Sequence, residues 1–64
     1  NQYMDNFEYN KSKLVKIKNL PKVIRNSIKF CETLISKKYL NNRDIRTLAI
    51  NLDNLVYYRS YLIK

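Results

Sequence analysis

Residues 41–60, NNRDIRTLAINLDNLVYYRS, carry the most regular pattern in the chain, and their reading decides the fold. Ile45, Leu48, Leu52, Leu55 and Leu62, with Ala49, Val56 and Ile63 beside them, recur at spacings that put them on one face of a helix and on no single face of a strand. Apart from Arg59, that face is apolar. Asn41 and Asp44, three apart, have the form of a capping box, in which each side chain answers a backbone N–H left open at a helix start. The spacing therefore predicts a helix over about 42–63. Asp53 falls just off the stripe, so its expected place is solvent.

Working back, residues 39–42 make the turn into this helix, and Pro21 marks where an earlier one begins, since proline is tolerated only in a first helical turn. Over about 21–38, Ile24, Ile28, Cys31 and Ile35 recur at spacings of four, three and four, with Ser27 and Leu34 alongside. Lys22, Arg25, Lys29, Lys37 and Lys38 lie mostly off that stripe, the last two where a helix dipole favours cations. Two amphipathic helices joined by a short turn pack most simply as an antiparallel hairpin, which alone leaves much of each stripe uncovered. The cover is either the N-terminal segment, giving a three-helix bundle, or a second copy, giving a dimeric four-helix arrangement. In residues 11–20, KSKLVKIKNL, Leu14, Ile17 and Leu20 keep helical spacing while 15–18 alternate as a strand would. A lone strand would lack a partner, so a short basic helix is expected. Residues 1–10, NQYMDNFEYN, are expected to form a flexible arm that docks through Tyr3 and Phe7, four apart. The fold class is all-α and the 64 residues make a single small domain. An opening Asn1 rather than Met fits a processed product or a piece of a longer protein.

Composition narrows the chemistry. A chain this short buries only about 60% of its unfolded surface, so the core must be thin. With no Gly, no His and one Cys, a phosphate-cradling glycine loop, a Ser–His–Asp or Cys–His arrangement and a metal site all lack their residues, and no cofactor is expected. Asp44 and Asp53 lie nine apart on one helix, about two and a half turns, too far for paired carboxylates. Cys31, set in an apolar stripe, reads as an inert buried thiol. A single Cys fits a reduced intracellular, cytoplasmic setting, and no apolar run approaches the roughly 20 residues of a membrane span.

Charge is the positive signal. Thirteen Lys and Arg against five Asp and Glu give +8, which points toward nucleic acid or another anionic partner, such as an acidic protein surface. Between Glu8 and Glu32 no acidic residue occurs, while Lys11, Lys13, Lys16, Lys18, Lys22, Arg25 and Lys29 supply seven positive charges. Such a block can follow a phosphate backbone, because each cation that neutralises a phosphate releases condensed counterions. Arg43 and Arg46 open the last helix after a short turn, loosely in the manner of a helix-turn-helix. A solvated helix face explains the same charges equally well. Tyr57, Tyr58 and Tyr61, partly off the stripe, give more aromatic surface than a small monomer needs and suggest a partner or homodimer interface.

The stretch LISKKYLNNRDIRTLAINLDNLV brings in a resemblance. Leu34 and Ile35 close one helix, Leu40 and Asn41 make the turn, Asp44 and Ile45 open the next, and Leu52, Asp53, Leu55 and Val56 follow at fixed distance. Over about residues 24–61 this pattern resembles the small sporulation-control aspartyl-phosphate phosphatases, two-helix hairpins with a Ser-Gln-Glu-Leu-Asp signature early in the second helix. The resemblance implies action on a phosphorylated response regulator, with the signature Asp falling on Asp53. The signature's Ser, Gln and Glu positions hold Ala49, Ile50 and Asn51, and a Gly usual in the turn is Tyr39.

Overall fold

The computed structural model describes residues 2–62, which form three helices: α1 (Gln2–Leu14), α2 (Lys22–Ile35) and α3 (Asn42–Leu62). Among the described residues there is no strand, and no helix is long and apolar enough to cross a membrane. Asn1, and Ile63 at the far end of the expected stripe, lie outside the described residues.

The antiparallel hairpin of α2 and α3 is the largest packing surface, and the two helices meet at separate heights. Beside the turn, Lys37 Nζ pairs with Asp44 at 3.2 Å; farther along, Asn54 Nδ2 donates to Ser27 Oγ at 3.2 Å. The helices thus lie alongside one another as the expected antiparallel hairpin. α3 starts at the expected cap: Asp44 N–H donates to Asn41 Oδ1 at 2.8 Å, and Asn41 N–H donates to Asp44 Oδ2 at 3.3 Å.

The cover for the hairpin comes from the same chain. α1 lies across both helices, and the arm expected over 1–10 and the helix expected over 11–20 are replaced by one helix that ends at Leu14. Its buried residues are Phe7, Asn10 and Leu14, spaced three and four apart. Asn10 interrupts an otherwise apolar stripe, so the pattern reads from sequence as two segments where the backbone makes one. Tyr3 shares a depression with Ala49 and Leu52, and Asn10 meets Arg59, so α1 and α3 run the same way. The result is an up-down-up bundle. Phe7, Leu14, Ile24, Cys31, Leu34, Leu48, Leu52 and Leu55 form its core, with Ile17, Leu20, Ile28, Ile35, Leu40 and Tyr58 packed against it.

Two boundaries differ from expectation for physical reasons. α2 stops at Ile35 rather than near 38, so Lys37 and Lys38 lie in the connector, past the helix end. No described residue has positive φ, so α2 closes without the left-handed cap that Gly most readily supplies. It turns instead through residues 36–41, with Ser36 N–H donating to Glu32 O at 3.1 Å. At the other end α3, 21 residues and about 31 Å long, outruns its shorter partners. Leu62, expected in the stripe, is consequently 43% exposed.

Asn10 is only 1% exposed. Its Nδ2 donates to Asn6 O at 2.8 Å and to Asn6 Oδ1 at 2.9 Å, while its Oδ1 accepts from Arg59 Nε at 2.6 Å. Asn10→Ala leaves Arg59 facing an apolar surface and is expected to destabilise the fold by about 1–3 kcal/mol in chemical denaturation. Asn10→Leu combined with Arg59→Leu should recover most of that loss, whereas additive losses would show that the two side chains do not act as a pair.

Candidate functional site

The start of α2 is unusual for its charge. Pro21 occupies the N-cap with φ −57 and ψ 148, no side chain caps the helix, and its first turn has no acidic residue. The positive end of the helix dipole is therefore uncompensated, and Lys22 and Arg25 stand beside it. The other two helices obey the opposite rule: α1 has Asp5 in its first turn and Lys11 and Lys13 in its last, while α3 has Asp44 and Arg59. α3 also opens with cations, Arg43 and Arg46, but there Asp44 and the Asn41 cap offset them; the start of α2 has neither an acidic residue nor a side-chain cap.

The structure sorts the nine expected anion-binding residues into groups. Lys22, Arg25 and Lys29, with Asn26, line one open depression on the outer face of α2. Lys16 and Lys18 are exposed in the connector that leads into this helix. Lys11 is engaged within the chain, its Nζ 2.6 Å from Glu32 Oε2 and near the Phe7 ring. That hydrogen bond raises the Lys11 pKa above its ordinary value. Lys13 lies over the Tyr9 ring at 5.7 Å, and Arg59 lies over the same ring at 5.3 Å. Arg43 and Arg46 are exposed near the start of α3, at the turn end of the hairpin and away from Lys22. They do not join the α2 group.

The expected partner surface also divides. Tyr58 packs against the core, while Tyr57 and Tyr61 are 76% and 71% exposed and share the outer side of α3 with exposed Ile50. Asp53 is exposed and borders a depression formed with Gln2, Tyr3, Asn6, Ala49 and Leu52. No group of three His, Cys, Asp or Glu able to hold a metal ion occurs among the described residues.

One residue of this surface escaped the sequence reading. Phe30 is 56% exposed and lines a depression with Asn26, Lys29 and Thr33, directly beside the basic one. The available signal was its absence from the Ile24–Ile28–Cys31–Ile35 stripe, which sends a large apolar ring outward.

Cys31, the single candidate nucleophile of the thiol type, is fully buried, and burial pushes its pKa from 9.0 up to about 11. The fold disfavours the thiolate, so the unfolded chain ionises first and stability falls as pH rises from 9.0 toward about 11. Ellman's reagent should leave native protein essentially unmodified at neutral pH and react fully in denaturant, and Cys31→Ala should flatten part of the alkaline loss. Rapid native labelling would contradict this reading. No family model matches the chain, and no curated protein or solved structure matches it either.

Proposed function

We propose that the protein is a small basic binding module that contacts nucleic acid through the outer face of α2, without an enzymatic step. The observation that carries this reading is the placement of Lys22 and Arg25 at a helix start that has neither an acidic residue nor a side-chain cap to offset them, whereas the first turns of α1 and α3 carry Asp5 and Asp44. A basic surface made only by composition has no reason to leave that end without an offsetting carboxylate. For an anionic backbone the same end is favourable twice over, because side-chain cations and the dipole attract together. Lys29 extends the group along the helix, and Lys16 and Lys18 extend it into the connector. Contacts of this type position a phosphate backbone and give little sequence preference. The exposed Ile50, Tyr57 and Tyr61 side of α3 is left for a protein partner or a second copy.

A second reading follows the phosphatase resemblance and is supported by the exposure of Asp53 on the hairpin. In it, Asp53 meets a phosphorylated receiver domain. Loss of phosphate from an added receiver, abolished by Asp53→Ala, is the outcome that reading requires; a receiver that keeps its phosphate removes it.

For the main reading, Lys22→Ala/Arg25→Ala/Lys29→Ala should weaken nucleic-acid binding and reduce the slope of log K against log salt by about 2, from roughly 0.7 per lost single-strand phosphate contact. Arg43→Ala/Arg46→Ala should leave the slope unchanged. Lys22→Glu should raise the melting temperature while lowering affinity, since it restores the favoured charge at the helix start. Wild-type protein with no salt-sensitive binding to any oligonucleotide would end the proposal.

A further inference from the structure

Two depressions on α2 share Asn26 and Lys29: one continues to Lys22 and Arg25, the other to Phe30 and Thr33. Together they make one trough along the outer face of the helix, cationic at one end and aromatic at the other. No acidic side chain lines it. Lys22 to Lys29 covers about 10 Å by helical rise, a span of a few nucleotides.

Phe30 takes no part in the core cluster. A phenyl ring cannot donate or accept at a base edge; against a duplex it can touch a thymine methyl or wedge between base steps, the latter only at the cost of unstacking them. Against an unpaired base it offers a stacking face, and every base has a matching one. The trough also presents a single row of cations, which suits one backbone rather than the two that border a duplex groove. Arg43 and Arg46, which could have supplied a second row, belong to the turn end of the hairpin.

We infer that the ligand of this face is single-stranded nucleic acid, with Lys22, Arg25 and Lys29 along the phosphates and Phe30 stacked on an unpaired base. This inference rests on the nucleic-acid reading above and narrows it to a strand class and to a residue outside the charge block. Charge complementarity identifies the ligand as a polyanion, and the ring at the end of the cation row identifies it as one with free aromatic faces.

The test is fluorescence anisotropy with the full chain and four probes: a mixed-sequence single strand of about 15 nucleotides, within the usual single-strand site range, an abasic strand of equal length, the matching duplex and anionic phospholipid vesicles. Phe30→Ala is expected to weaken binding to the single strand by about 5- to 100-fold, with affinity for the abasic strand unchanged. Phe30→Tyr, which keeps a stacking ring, should restore binding, and circular dichroism should show both variants folded. Equal losses on the normal and abasic strands, or no loss on either, would overturn the role of Phe30 while leaving the charge-based reading intact. Tighter binding to duplex than to single strand would overturn the strand class. Binding to vesicles in preference to every oligonucleotide would make this face a membrane-surface contact and overturn both.

Discussion

The hydrogen bond from Arg59 to Asn10 decides where α1 lies, and the rest of the molecule follows from that placement. Each residue is the polar interruption in its own apolar stripe, Asn10 among Phe7 and Leu14, Arg59 beyond Leu52 and Leu55. Separately, each would cost free energy on burial; opposed, they satisfy one another at 2.6 Å. Ser27 and Asn54 repeat the arrangement between α2 and α3. Both neighbours of α3 are therefore held at a height along it by a polar pair, while the apolar core supplies the bulk of the driving force but little positional preference. No buried side-chain nitrogen or oxygen among the described residues lacks a partner.

With α1 spread over the hairpin, the outer face of α2 is left free, and the charge of the molecule is partitioned. Lys11 is drawn to Glu32 and Arg59 is drawn under α1 beside Tyr9, so both belong to the scaffold. Among the described residues, Lys22, Arg25 and Lys29 make no ion pair and lie over no ring. Net charge alone cannot distinguish these two kinds of cation. Their separation rests on geometry, on which helix face each side chain leaves from and on whether a carboxylate or ring lies within reach.

The parts of the fold legible in the sequence are those whose signals are local. Asn41 and Asp44 lie three residues apart and cap each other, and the α3 stripe repeats without interruption as far as Arg59. The single helix over Gln2–Leu14 was not legible, because Asn10 breaks the apolar period and its answer lies 49 residues away at Arg59. The early stop at Ile35 escaped because the apolar spacing runs on to that residue and the Lys37–Lys38 pair reads as the basic end of a longer helix, whereas the backbone leaves the helix at Ser36. Within the site, the grouping of Lys22, Arg25 and Lys29 follows from helical spacing and could be read directly. The pairing of Lys11 with Glu32 could not, since the two lie 21 residues apart. In the same way, the stripe of α2 is rotated toward Ser27 and Leu34, which are buried while Ile28 and Ile35 are only partly so, because α3 rather than α1 sets its main contact.

We propose the outer face of α2 as the surface that meets a nucleic-acid strand. Amide chemical-shift mapping of the isotope-labelled protein during titration with a short single-stranded oligonucleotide tests it most directly. The account predicts that the largest perturbations fall at Lys22, Arg25, Asn26, Lys29, Phe30 and Thr33, with α1 little changed. Perturbations centred instead on Ile50, Asp53, Tyr57 and Tyr61 of α3, or none at low salt, would contradict it.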